Sequence, residues 1–133
     1  MKFKHWYLAG GVAVLLCGCG KKKFDSPGNL GRLSSVRSAL QVYYGDKDGT
    51  FPERLEPLVE NGKYLAELPK LKLPEHPETN EVLYLSGPAV NPAKLTDTGG
   101  YAYYNSKGHP VTYGTVLLNC THKNEKGQFW YSY

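Results

Sequence analysis

Apolar and polar positions follow different rhythms in different stretches of this chain. Leu30, Leu33, Val36, Leu40, Tyr43 and Tyr44 fall within one arc of roughly 140° when wound at about 3.6 residues per turn. Arg32, Ser34, Ser35, Ser38 and Gln41 fall outside it. The spacing predicts a long amphipathic helix, with Asn29 as its N-cap and Gly45 as its stop. A second, shorter helical pattern opens at Phe51-Pro52, sets Leu55, Leu58 and Val59 on one side and stops at Asn61-Gly62. The proline-rich passage through Pro77 predicts irregular structure, Glu81 to Leu85 a short strand, and Gly87 to Gly100 a loop. Tyr101 to Asn105, Gly114 to Thr121 and Gln128 to Tyr133 are rich in β-formers and are separated by turn residues. They predict an antiparallel meander in which Val116, Leu118 and Cys120 share one face and Leu117 and Asn119 the other. The expected fold is therefore α+β, with one long N-terminal helix packed on a small antiparallel sheet.

The front of the chain has another character. Lys2 and Lys4 precede Leu8 to Leu16, an uncharged and mostly apolar run too short to cross a bilayer as a helix. Leu16-Cys17-Gly18-Cys19 follows and resembles the lipobox of bacterial lipoproteins. That resemblance implies a signal peptide over 1–18, cleavage before Cys19, and a thioether-linked diacylglycerol on Cys19 that anchors the chain to membrane lipid. Cys17 is the poorer candidate, because Leu16 is too bulky for the small residue expected before the lipidated cysteine. Lys21, Lys22 and Lys23 form a basic collar suited to an anionic membrane surface, and 19–29 reads as a linker. Gly20 after Cys19 favours outer-membrane sorting under the enterobacterial rule. An ordinary signal peptide with incidental cysteines, or an uncleaved anchor, is the bland alternative.

Residues 19–133 suffice for one small domain with one core, here 30–133. Of the formal net charge of +4, Lys2 and Lys4 leave with the signal and three further lysines sit in the collar. The remaining globule is nearly neutral, which argues against a nucleic-acid partner. With Cys17 removed and Cys19 acylated, Cys120 has no intrachain disulfide partner.

From Ser38 to Pro69, the run SALQVYYGDKDGTFPERLEPLVENGKYLAELP resembles the segment after the long helix in type II secretion major pseudopilins and their type IV pilin-like relatives. The carriers are Tyr44, the Asp48-Gly49-Thr50-Phe51-Pro52 turn, Leu55 to Val59, Tyr64-Leu65 and Leu68-Pro69. The tail from Gly100-Tyr101 and Gly114 to Tyr133 is similar more loosely. The resemblance implies a pilin-head-like fold in which the turn returns the short helix beside the long one and the aromatic pins it. The pseudopilin leader, its early Glu and its long apolar stalk helix have no counterpart here. A lipid anchor and a linker stand in their place, so self-assembly into a filament is not expected. The family's calcium site lies in its C-terminal sheet region, yet from Val82 to Tyr133 the only acids are Asp97 and Glu125. Packing of Leu30, Leu33, Val36 and Leu40 on sheet residues such as Leu118 is expected to replace that clamp.

The remaining chemistry is sparse. Alternation puts Cys120 and His122 on one face, with His76 and His109 elsewhere in the sequence. Such a pair serves a metal site or an activated thiol, but a full zinc ligand cluster and a base for the thiol are not recognisable. A buried structural thiol beside a surface histidine is the reading favoured, with no metal and no cofactor assigned. Asp46-x-Asp48-Gly49 starts like a calcium loop, but Pro57 stands where the bidentate Glu belongs. Asn119-Cys120-Thr121 fits a glycosylation pattern but falls in an expected strand. Tyr101, Tyr103, Tyr104, Tyr113, Phe129, Trp130, Tyr131 and Tyr133 offer either core filling or a stacking platform, and core filling is favoured. Catalytic triads, phosphate loops and dinucleotide fingerprints are not found, and no enzyme is expected. The expected role is a lipid-anchored, pseudopilin-like structural or interaction protein of the cell envelope, beside type II secretion or type IV pilus proteins. The rival is a lipoprotein module that binds a glycan or peptide through exposed tyrosines.

Overall fold

The structure is a computed structural model that describes residues 26–133. The signal region, Cys19 and all of the linker before Ser26 lie outside the described residues. No helix among the described residues is long and apolar enough to cross a membrane. The architecture is α+β: one long helix and a small three-stranded sheet joined by irregular segments.

Helix α1 spans Ser26–Asp46 and starts earlier than its apolar pattern, within the stretch expected to be linker. Pro27 falls in the first turn, where its missing N–H breaks no helical bond. Asn29 is therefore not the N-cap. It lies inside the helix, fully buried, where its amide gives a hydrogen bond to Lys72 O (2.7 Å) and takes one from Lys72 N (3.0 Å). Leu33, Val36, Ala39 and Leu40 are buried as the periodicity requires, whereas Tyr44 is 39% exposed.

At the end of α1 the chain reverses through Asp48 (φ 53°) and Gly49 (φ 81°), and Gly49 N donates to Tyr44 O at 2.9 Å. Phe51 then packs between Tyr44 (ring centroids 4.5 Å apart) and Tyr113 (5.2 Å). The Tyr113 hydroxyl accepts from Phe51 N and donates to Phe51 O. The second predicted helix is not α-helical. It consists of two 3₁₀ turns, Glu56–Leu58 and Glu60–Gly62, broken by the left-handed Asn61 (φ 55°). Leu55 and Leu58 are still buried against the core.

The sheet corrects the expected meander. Strand β1 (Val82–Leu85) pairs in parallel with β2 (Tyr101–Tyr104), which pairs antiparallel with β3 (Val116–Leu118). Gln128 to Tyr133 adds no strand; it makes one bridge, Lys123 to Phe129, and a 3₁₀ turn over Trp130–Ser132. A parallel pair needs a crossover, and residues 86–100 supply it as an irregular loop. β2 is buried along its whole length because both faces are covered. On one face Tyr101, Tyr103, Val116 and Leu118 meet α1, with Cys120 beyond the strand end. On the other, Ala102, Tyr104 and Leu117 form a smaller cluster with Leu95 and Tyr131. Arg37 locks this stack, giving hydrogen bonds to Val116 O (3.2 and 2.9 Å) and to the main-chain oxygen of Tyr133 (2.6 Å).

Candidate metal centre

Three loops converge at the end of the sheet beyond β3. The proline-rich passage, irregular in sequence, closes on itself: Leu71 N donates to Thr79 O (2.8 Å) and Thr79 N to Leu71 O (3.1 Å). Leu71 and Leu73 bury its base in the core, and Asn29 holds Lys72 on α1. Glu75 at the tip is left-handed (φ 62°), and the next residue, His76, has its side chain only 6% exposed. The second loop carries Asp97, also left-handed (φ 55°). Buried Asn119 clamps it, its side chain donating to Thr96 Oγ1 (2.8 Å) and Thr98 Oγ1 (3.1 Å) and accepting from Asp97 N (3.1 Å). That use of Asn119 leaves no acceptor for a glycan. The third loop continues β3 and alternates as predicted, placing Cys120 Sγ 3.5 Å from His122 Nδ1.

His76, Asp97, Cys120 and His122 thus each present one donor atom, and the four atoms lie within 4.8 Å of one another. Asp97 Oδ1 is 3.2 Å from His76 Nε2 and 3.6 Å from His122 Nδ1. The two imidazoles lie 5.1 Å apart between centroids, tilted by 52°. His76 Nε2, though near Asp97, is misaligned for a hydrogen bond and has no hydrogen-bond partner. Outside the group, Glu75 Oε2 lies 2.8 Å from His122 Nε2.

The electrostatics are those of a protonated thiol beside an ionised acid. Burial pushes the Cys120 thiol up to about 11, and Asp97 and Glu75 push in the same direction against a backbone hydrogen bond at His122. Burial also works to raise Asp97, but the Thr121 N–H (2.8 Å) and the neighbouring histidines outweigh it and hold the carboxyl below its usual range. An activated nucleophile needs a lowered thiol pKa, and Cys120 is shifted the other way.

No protein-family model, no curated protein and no solved structure matches the chain.

Alternation along the chain pairs Cys120 with His122, but no sequence pattern joins His76 or Asp97 to them, and no metal ligand is expected from sequence. The signal for His76 was absent because the passage around it has no periodicity. His109 does not join the group. Asp46, the start of the apparent calcium loop, accepts a hydrogen bond from Tyr64 OH at 3.0 Å. Of the aromatics, Tyr101, Tyr103, Tyr104 and Trp130 fill the core, while Phe129 is exposed and stacks on Tyr131 at 5.0 Å.

Proposed function

We infer that this chain is a lipid-anchored, non-enzymatic protein of the cell envelope whose folded part is a pilin-head-like interaction domain serving a type II secretion or type IV pilus system. The observation that carries the reading is the return of the chain at Asp48 to Pro52. The helix ends beside Tyr44, the chain reverses through Asp48 and Gly49, and Phe51 is held between Tyr44 and Tyr113. Leu55 and Leu58 then pack back against the core, in the order the resemblance to pseudopilins implies. A long helix laid across a small sheet is compatible with that head, though a fold by itself does not fix a function. The lipobox at Leu16 to Cys19 supplies the tether. The rival binding module needs exposed tyrosines, and burial of Tyr101, Tyr103 and Tyr104 removes three of its candidates.

The test is affinity purification of the tagged full chain from detergent-solubilised envelopes, with quantitative mass spectrometry. Enrichment of secretion-platform or pilus subunits over a Cys19→Ala control is the expected result. Enrichment of uptake or glycan-processing proteins in their place would contradict it.

A further inference from the structure

We propose that His76, Asp97, Cys120 and His122 form a structural zinc site, with Glu75 as the outer carboxylate that orients His122. Bonds of about 2.0–2.1 Å to nitrogen, 2.0–2.2 Å to oxygen and 2.3 Å to sulfur, arranged tetrahedrally, place the donors roughly 3.3–3.8 Å apart. The three contacts at 3.2, 3.5 and 3.6 Å are close to those edges. A single ion inside the group would touch all four donors after small side-chain adjustments.

Two further features point inward. His76 Nε2 is buried with no hydrogen-bond partner, a costly condition that a metal bond relieves. Glu75 Oε2 stands 2.8 Å from His122 Nε2, on the side of the ring away from the group, and a proton held on Nε2 would free the Nδ1 lone pair for a metal. A carboxylate behind a ligating histidine is the usual means of fixing its tautomer and raising its basicity. The donor set then selects the ion. Calcium takes about six to eight oxygens, whereas two imidazoles, a thiolate and one carboxylate suit zinc. Four protein donors leave no position for water, the pattern of structural rather than catalytic sites. On binding, the Cys120 thiol loses its proton to solvent and the sulfur bonds the metal. The ion would tie the 71–79 and 96–100 loops to the end of β3, joining segments far apart in sequence.

The experiment uses the full chain, stripped with chelator, in a Cys17→Ser/Cys19→Ser background that removes the other two thiols. Zinc and cobalt(II), a spectroscopic substitute, are titrated in. We expect one ion per chain, a thiolate-to-cobalt charge-transfer band with the strong visible bands of tetrahedral cobalt, and a thermal midpoint raised several degrees by zinc but not by calcium. Adding Cys120→Ser should abolish the charge-transfer band, and Glu75→Gln should weaken zinc at least about tenfold. Substoichiometric zinc after desalting, a cobalt spectrum without the thiolate band, or a band that survives Cys120→Ser would overturn the proposal. If Cys120→Ser does not fold, the spectrum and stoichiometry of the parent protein still decide. None of these readouts depends on lipidation or on a secretion partner.

Discussion

Tyr101 and Tyr103 each carry a phenol into the core and donate it to a carbonyl of the irregular half of the chain, Pro69 O and Pro52 O, both at 2.6 Å. Burial pushes both phenols above the ordinary tyrosine range, Tyr101 against a small opposing effect of Arg32. Their contribution to stability is complete below about pH 10, where tyrosine in the unfolded chain begins to ionise, and is lost as pH rises toward the folded values. Urea midpoints should therefore hold near neutrality and fall above about pH 10, and Tyr101→Phe/Tyr103→Phe should flatten that fall. A midpoint that is flat through the alkaline range would contradict the assignment. Gly114 is a second residue with a sharp requirement. Its φ is +83°, and an added Cβ would stand 2.4 Å from the Phe51 ring. Gly127 has a similar φ of +78° but faces open space. Gly114→Ala should cost about 2 kcal/mol or more and Gly127→Ala about 1 kcal/mol, measured by the same denaturation.

Elements show which parts of the fold could be read from sequence. The buried stripe of α1 follows from its period, because Leu33, Val36 and Leu40 all face one continuous core that includes β3 and the Leu55 to Leu58 segment. Its start does not, since the first turn is held by a distant contact, Asn29 to Lys72, that local pattern cannot announce. Asn29→Ala should cost about 1–3 kcal/mol by unpairing the Lys72 backbone, whereas loss of the exposed intrahelical bond in Ser35→Ala should cost nearly nothing. The aromatic tail has strand propensity, but Trp130 is buried by a 3₁₀ turn, and tertiary packing overrides propensity there. Parallel pairing of β1 was equally invisible, because its crossover is a loop without periodicity. Alternation gave Cys120 and His122, as it should, from two positions on one extended stretch. His76 and Asp97 arrive through loops closed by other residues, so half of the candidate metal centre had no sequence signature.

At the scale of the molecule, the sheet has two unequal covers: α1 with the main core on one face, and a small cluster with Leu95 and Tyr131 on the other. The proposed zinc site lies at the edge of this stack, where it would join three loops whose tips reach beyond the core. Packing of α1 on the sheet and the proposed zinc ligands would act together, in the place that the calcium clamp holds in the pseudopilin family. On the proposed pilin-head reading the domain does not polymerise, since the basic stretch 19–29 is too polar to serve as the apolar stalk that packs pseudopilin fibres. Residues 20–133 should sediment as a monomer or a small closed oligomer, and helical fibres in the electron microscope would reveal assembly through another surface. The proposed envelope role rests on the lipid at Cys19. The most direct measurement is intact mass spectrometry of the protein extracted from bacterial membranes, with fragmentation from its N-terminus. The expected mature chain begins at Cys19 and carries diacylglycerol there, with the lipid lost in Cys19→Ala and kept in Cys17→Ser. A chain that begins elsewhere, or an unmodified Cys19 in the membrane fraction, would contradict it.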